Sequence, residues 1–249
     1  MDALLTYVLR QGDRALVLAQ RLLEVVTHAP EIEEDMALAN LALDLIGQSR
    51  ALYTYAGEIE DDGHDEDHFA YWRDQHEFLN PLLVERPNGD FAHVIVRQFL
   101  HDAFALPYWQ AMSRSCDTTL AALAGKSQKE TAYHLRHSRA WVVRLGDGTA
   151  ESHTRAQAAV DELWRYTGEL FERDHVEDEL VAAGVAADPD VIAGHWRSTV
   201  ESTIAEATLT CPSDVVMQTG GRTGRHTEDF SYLLGELQVV ARAHPGATW

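Results

Sequence analysis

The chain has 249 residues, enough for one large domain or two small ones with a substantial buried core. Its 40 acidic and 20 basic residues give a formal net charge of −20. This charge argues against nucleic acid or an anionic membrane as the main partner, because phosphate binding depends on Lys and Arg. The two cysteines, Cys116 and Cys211, form no metal motif or disulfide framework and favour a reducing, cytoplasmic compartment.

Apolar residues recur at helical spacing along nearly the whole chain, and no sustained period-two alternation occurs, which predicts an all-α protein. The first helix is predicted over about 2–28. Charged residues interrupt its apolar series, so the segment is predicted to be neither a signal peptide nor a membrane span. The second helix, over about 31–58, begins with an acidic turn that suits a helix N-terminus. The link between them is short, which predicts an antiparallel hairpin.

A charged break over 60–68 and a crossover near 80–89 separate this hairpin from a second one. Between the two breaks a short helix is predicted around Phe69 to Leu79. The second hairpin is predicted over 91–115 and 118–145, with a bend at Pro107. Two hairpins joined by a long crossover are the wiring of a ferritin-like bundle.

The remaining sequence predicts three further helices, near 153–172, 188–207 and 227–243. Gly- or Pro-containing turns separate them. We therefore expect residues 1–249 to form a single ferritin-like domain with additional C-terminal helices.

Polar residues on the inner faces of the second hairpin are candidate metal ligands. Asp102 lies on an otherwise apolar stripe of the first helix, and His134 lies between Thr131 and Ser138 on the second. Equal rise along two antiparallel helices places Asp102, Thr131 and His134 at one depth, where the metal lies in a two-metal bundle. The alternative is a buried hydrogen-bonded or ion-paired cluster, because a buried carboxylate needs a partner.

The first hairpin offers a poorer ligand set. The same reasoning places Asp13 opposite Asp44, Leu45 and Gln48, with no second histidine available. An independent di-metal carboxylate oxidase or oxygenase is the enzyme hypothesis that these residues allow. It would use Asp13, Asp44, Asp102, Glu130 and His134.

Two surface segments are weaker candidates. His64, Asp65, Asp67 and His68 form either a surface metal site or a solvated loop that caps the next helix; they do not match a calcium-binding loop. No hydrolase, dinucleotide or P-loop motif occurs in the sequence.

The segment TGGRTGRHTED, residues 219–229, is a basic, glycine-rich exception in an acidic chain. It precedes a predicted helix whose N-cap is Thr227. Arg222, Arg225 and His226 are its candidate anion or partner contacts, because backbone N–H groups and positive charge converge there. The alternative is a turn whose arginines pair with neighbouring carboxylates.

Several motifs together resemble the PaaC family, the structural subunits of the multicomponent phenylacetyl-CoA 1,2-epoxidase (ring-1,2-phenylacetyl-CoA monooxygenase). The motifs, which keep their register along the chain, are LRQGDRALVLAQRL, HAPEIEEDMALANLALDLIGQSR, LLVERPNGDFA, KETAYHLRHSR and TGGRTGRHTE. The resemblance implies a ferritin-like fold and a non-catalytic role in bacterial phenylacetate catabolism.

The resemblance also implies partners and cofactors for the complex. In that family a related catalytic subunit, PaaA, carries a di-iron centre that epoxidises the aromatic ring with O₂. Electrons come from NADPH through a reductase that contains FAD and an iron–sulfur cluster. The implied partners of this chain are PaaA, the other epoxidase subunits and the reductase, with self-association as a further possibility. No cofactor and no catalytic residue is expected on this chain.

The ligand motifs of the catalytic subunit can be compared with this chain position by position. Its Asp-Glu-Ala-Gly-His resembles residues 44–48, with Leu45 at the Glu ligand and Gln48 at the His ligand. Its Lys-Glu-Glu-Ser-Phe-His resembles residues 129–134, with Thr131 at the Glu ligand and His134 retained. The remaining carboxylate matches Asp102, and the first-helix ligand falls near Ala19 or Gln20, which disagrees with the choice of Asp13. Leu45 and Thr131 cannot supply bridging carboxylates, so the resemblance implies a degenerate site that has lost its metal.

Overall fold

The computed structural model describes residues 2–247, and every regular element between them is helical. The all-α prediction is therefore confirmed for this part of the chain. Short 3₁₀ turns connect several of the α-helices, and no helix in the described range is both long and apolar enough to cross a membrane. The α-helices, in chain order, are α1 (Ala3–Leu23), α2 (Ile32–Glu60), α3 (Glu66–Tyr71), α4 (Leu82–Glu85), α5 (Phe91–Met112), α6 (Thr118–Gly146), α7 (Ala150–Leu163), α8 (His175–Ala182), α9 (Pro189–Glu206) and α10 (Glu228–Ala243).

The chain divides into two compact units. The first contains the chain up to Pro87 and again from Gly220, and the second is Asn88–Thr219. The first unit therefore holds α1 to α4 and α10, and the second holds α5 to α9. Each unit contains one pair of long, tightly packed helices, α1 with α2 and α5 with α6.

The α1–α2 pair is an antiparallel hairpin, as predicted. Near the link, the Asp35 carboxylate accepts a hydrogen bond from the Thr27 backbone N–H at 2.9 Å. Farther from the link, the Tyr53 hydroxyl of α2 donates to Asp13 of α1. Asp2 caps α1 by accepting from the N–H of Leu4 at 2.7 Å. The first turn of α2 is acidic, which complements the positive end of the helix dipole.

The α5–α6 pair is also antiparallel. The Phe91 ring packs edge-on against Trp141, with centroids 5.1 Å apart. Asp102, eleven residues later on α5, contacts Ser138, which comes before Trp141 on α6. The two helices therefore run in opposite directions. Asp117 caps α6 by accepting from the N–H of Leu120 at 2.9 Å. Pro107 lies inside α5, and the helix continues past it to Met112.

The helices that follow differ from the sequence prediction in one region. The helix predicted to reach residue 172 ends at Leu163 and is followed by two 3₁₀ turns, Trp164–Tyr166 and Gly168–Phe171. Gly168 lies against Met217, where a Cβ would approach the Met217 side chain at 2.9 Å. The separate helix α8 was not predicted; Asp174 caps it by accepting from the N–H of Val176.

Candidate functional site

In the second unit, the centre of the α5–α6 pair is a small polar cluster around Asp102, which is fully buried. Gln98 Nε2 lies 2.7 Å from Asp102 Oδ1, and His101 Nδ1 lies 3.3 Å from the same oxygen. The other carboxyl oxygen lies 2.9 Å from Ser138 Oγ. The contact across the two helices is therefore made by Ser138, one turn beyond His134.

Burial raises the pKa of Asp102 well above its ordinary value, although hydrogen bonds from Ser138 and Gln98 act in the opposite direction. The geometry agrees with a neutral carboxyl group. Ser138 Oγ has one proton but two oxygen neighbours, Asp102 Oδ2 and the His134 carbonyl at 3.0 Å. When Asp102 carries a proton, it donates to Ser138, which in turn donates to His134, and both contacts are hydrogen bonds.

The other candidate residues of this unit, Thr131 and His134, both lie on α6 and are almost completely buried, as their inner-face spacing predicts. Glu130, the adjacent carboxylate, is half-buried and lies 3.4 Å from the ammonium group of Lys126, one turn earlier on the same helix. It is therefore paired locally, as expected for residues four apart on a helix surface.

In the first unit, Leu45 and Gln48 lie on the buried face of α2, whereas Asp44 is half-buried. Asp13, proposed from the sequence as a possible ligand, is fully buried on α1. Its polar partner on α2 is Tyr53, whose hydroxyl donates to Asp13 Oδ1 at 2.5 Å. Tyr53 lies five residues beyond Gln48, the last residue that was predicted to lie opposite Asp13. The difference arises because α2 begins well past the end of α1 and the link is not a tight turn.

Asp13 is held by an ion pair that the sequence reasoning missed. The Arg73 guanidinium contacts both Asp13 oxygens, and the Leu79 backbone N–H donates to Oδ2 at 2.7 Å. Arg73 also stacks on Phe78, with its guanidinium carbon 4.2 Å from the ring centroid. The charge of a buried carboxylate is thus neutralised by protein groups alone.

These arrangements do not fit a di-iron centre. Iron-bridging carboxylates must be ionised and directed at the metal, but burial raises the pKa of Asp102 and protein groups engage both of its oxygens. Asp13 is saturated by Arg73, Tyr53 and Leu79. Within residues 2–247, no group of three or more His, Cys, Asp or Glu side chains has an arrangement that could hold a metal ion. Asp102 and Asp13 instead hold the paired helices together through their contacts with protein groups.

The glycine-rich segment that follows residue 219 is explained by close backbone packing. A Cβ on Gly221 would lie 2.2 Å from the Asn80 carbonyl oxygen, and one on Gly224 would lie 2.2 Å from that of His76. Gly220 and Gly224 also have positive φ, of 139° and 79°. The N–H groups of Thr223, Gly224 and Arg225 donate to Gly220 or Gly221 carbonyls, so the backbone donors of this turn are used internally.

His226 is enclosed within the first unit. Its Nδ1 lies 2.7 Å from Glu85 Oε2, and its Nε2 lies 2.8 Å from the Phe78 carbonyl oxygen. Glu85 also accepts from the backbone N–H of Thr227 at 2.7 Å and from Asn80 Nδ2 at 3.0 Å. Thr227 is the residue that precedes α10, as predicted.

The two arginines of the segment differ from His226. Arg225 is exposed, and Arg222 is half-buried. The Arg222 carbonyl accepts from Arg10 Nη2 at 3.4 Å. The anion or partner contact proposed for Arg222 and Arg225 stays a prediction, whereas both ring nitrogens of His226 are occupied by Glu85 and Phe78.

The surface segment before α3 behaves as a capping loop. Asp65 accepts a hydrogen bond from the N–H of His68 at 3.0 Å. The His64 and His68 rings stack with centroids 3.5 Å apart, and His64 Nδ1 lies 2.7 Å from Glu60. These contacts agree with the capping alternative considered from the sequence.

Comparison with known proteins agrees with the helical architecture. A family model described as "Phenylacetic acid catabolic protein" matches residues 1–249. The chain belongs to this family. This member of the phenylacetic acid catabolic protein family is 46% identical over 249 residues to a protein of Escherichia coli (strain K12). That protein is named as one of the subunits of 1,2-phenylacetyl-CoA epoxidase. The alignment covers 100% of both chains. The two long helix hairpins are consistent with the ferritin-like bundle expected of the family.

Sequence reasoning found Asp102, His134 and the glycine-rich segment but missed Arg73 and Glu85. Arg73 lies in a short polar stretch between helices, where nothing local marks it as buried. Glu85 follows three consecutive apolar residues, and a carboxylate at the end of such a run is the signal that could have identified it.

Proposed function

We propose that this chain is the non-catalytic, structural subunit of a bacterial phenylacetyl-CoA epoxidase complex that serves phenylacetate catabolism in the cytoplasm. The observation that carries the proposal is the end-to-end match, at 46% identity, to a protein named as one of the subunits of that epoxidase. A match without truncation at this identity supports the same role in the same kind of complex.

The side chains at the candidate ligand positions support a structural role. Leu45, Gln48 and Thr131 occur where the catalytic relatives are expected to have metal ligands, and the carboxyl groups that remain are engaged by protein donors. The alternative, an independent di-metal oxidase or oxygenase using Asp44, Asp102 and His134, is not favoured. Gln98 and Ser138 already engage the two Asp102 oxygens, and burial raises the pKa of this carboxyl group, which disfavours the ionised form that such a centre needs.

In this proposal the chemistry belongs to the partner. The catalytic subunit PaaA would hold the di-iron centre that epoxidises the ring with O₂, and the reductase would deliver electrons from NADPH through FAD and an iron–sulfur cluster. This chain would supply a rigid helical surface on which the catalytic subunit is held. The bonds from Asp13 and Asp102 to neighbouring helices suit that task, because they fix helices without a metal.

Co-purification tests the proposal. The chain is expressed with the catalytic subunit, the complex is isolated, and iron is measured on each separated chain. We expect a stable complex, iron on the catalytic subunit and no oxygenase turnover by this chain alone. Two equivalents of iron on this chain, lost in both Asp102→Ala and His134→Ala, would contradict it.

A further inference from the structure

A cleft with an accessible volume of about 580 Å³ lies between α3 and α10 in the first unit. Its apolar lining includes Trp72, which directly follows α3, and Leu237 and Val240 of α10. The exposed carboxylates Asp65 and Asp67 line it as well. Apolar and acidic groups therefore meet in one concave surface.

The walls of this cleft are fixed by hydrogen bonds from α10. Gln238 Nε2 donates to the carbonyls of Ala70 and Arg73, at 3.2 and 2.9 Å. One turn later, Arg242 donates to the Tyr71 carbonyl at 3.0 Å and to the Arg73 carbonyl at 2.9 Å. The carbonyls at the C-terminal end of α3 thus find donors on α10, and the cleft is formed before anything binds. A preformed cleft lowers the entropic cost of binding.

Several apolar side chains on α10 and directly after α3 face solvent. Val240 is 53% exposed and Trp72 is 42% exposed, and Tyr232 and Val239 are more exposed still. Gly235 lies between the last two along the helix, and a Cβ there would meet nothing within 4 Å. Exposed apolar side chains grouped in this way, beside a preformed cleft, are typical of protein interaction surfaces.

Charge indicates what the occupant carries. Among the described residues that line the cleft there are two carboxylates and one histidine, His244, but no Lys or Arg. Two cations in the described part of the chain lie nearby, and both already have partners. Arg242 donates to backbone carbonyls and to the Asp74 carboxylate. Arg50, which lines an adjoining cleft together with Asp67, donates to Glu66. An occupant that covers Trp72 and Val240 also removes water from Asp67, so it must bring its own positive charge.

We propose that the α3–α10 cleft receives a segment of another epoxidase subunit that presents an apolar side chain next to Lys or Arg. The inference rests on the proposed function, because it takes the occupant from the same complex. The apolar side chain packs on Trp72 and Val240, and the basic one pairs with Asp67.

Binding measurements with single variants test this surface. Each of the other epoxidase subunits is purified and titrated against the wild-type chain and against Trp72→Ser, Val240→Asp and Asp67→Lys. Asp65 is left unchanged because it caps α3. The control is Leu43→Asp, an apolar position on α2 of the same unit that is 61% exposed, somewhat more than Val240. Circular dichroism verifies that each variant is folded.

We expect Val240→Asp and Trp72→Ser to weaken binding of one subunit by at least about tenfold, as for the central residues of an interface. Asp67→Lys should weaken the same interaction and reduce its dependence on salt. Leu43→Asp should bind like the wild type.

Other outcomes separate the two proposals. If the wild-type chain binds a partner from the complex and the three cleft variants bind it equally well, the cleft is not the interface, although the proposed function stands. If the chain alone dimerises and Val240→Asp makes it monomeric, a second copy is the occupant and the inference is overturned. If the wild-type chain binds none of the other subunits, the proposed function fails, and the inference fails with it.

Discussion

The Nδ1 atom of His226 lies 2.7 Å from Glu85 Oε2, and neither side chain is accessible to solvent. The opposite ring nitrogen faces the Phe78 carbonyl oxygen, also an acceptor. A ring with acceptors at both nitrogens is satisfied in the imidazolium form. Burial disfavours this charge, but the hydrogen bond and the charge of Glu85 outweigh it and raise the pKa of His226. The return segment before α10 is thereby attached to the α4 region of the same unit.

The first prediction is a pH-dependent advantage of His226 over glutamine. Because folding raises the pKa of His226, its contribution is complete below the unfolded value of 6.5 and is lost as the pH rises through the folded value. His226→Gln should therefore be less stable than the wild type by about 1.5–3 kcal/mol at pH 5.5, the range for a hydrogen bond to a charged group. The difference should shrink at pH 9. Urea unfolding at both pH values measures it, and the exposed His76→Gln is the control. A difference that does not change with pH would rule out the imidazolium.

The second prediction concerns Gly12, which lies under the Tyr53 ring. A Cβ at this position would approach the ring at 2.6 Å, and Tyr53 is held by Asp13. Gly12→Ala should therefore destabilise the protein by about 1–3 kcal/mol, as overpacking of a core does. The control is Gly125→Ala on α6, where a Cβ meets nothing within 4 Å. There the better helix propensity of Ala should stabilise the protein by up to about 1 kcal/mol. Equal effects at the two positions in thermal unfolding would contradict the packing argument.

The third prediction concerns the buried ion pair of Arg73 and Asp13. Arg73→Met retains much of the apolar stem but leaves a buried carboxylate without its counter-charge, which should cost about 3–5 kcal/mol. The matched control is Arg50→Met, because Arg50 pairs with Glu66 at 2.9 Å on the surface. Removing an exposed pair should cost at most about 1 kcal/mol. Denaturant unfolding of both variants checks the contrast, and an effect at Arg73 no larger than that at Arg50 would contradict the buried ion pair.

The fourth prediction is that Asp102→Asn stabilises the protein at neutral pH. Burial raises the pKa of Asp102 in the folded state, whereas the unfolded carboxyl group ionises near 3.8. Above that pH the carboxyl group ionises in the unfolded state but not in the folded state. The free energy of unfolding of the wild type therefore falls by up to about 1.4 kcal/mol per pH unit until the folded pKa is reached. Asparagine keeps a donor for Ser138 and an acceptor for Gln98 without this loss. The advantage of the variant should grow as the pH rises above about 4 and level off at the folded pKa. The exposed Asp62→Asn is the control. A variant less stable than the wild type at pH 7 would mean that Asp102 is ionised.

Local sequence patterns were enough to predict the long helices and much of what they bury. Periodic apolar spacing and acidic or capping N-termini are local properties, so α1, α2, α5 and α6 could be read from the chain. The same spacing identified Asp102, Thr131 and His134 as inner residues, because a polar side chain on an apolar stripe must be buried with its helix. The prediction of which residues of α1 and α2 lie opposite each other was less accurate, because the link after α1 sets how far α2 is displaced along α1.

Tertiary structure alone decided which partners the buried polar groups find. Asp13 meets Arg73, sixty residues away in the chain, and Glu85 meets His226 after an intervening separate unit. No local pattern encodes such pairings, because they depend on where the loops carry each side chain. The same holds for the glycines at 221 and 224. The sequence left an anion contact and a plain turn both open there, and the close approach of the Asn80 and His76 backbone explains why these two positions are glycine.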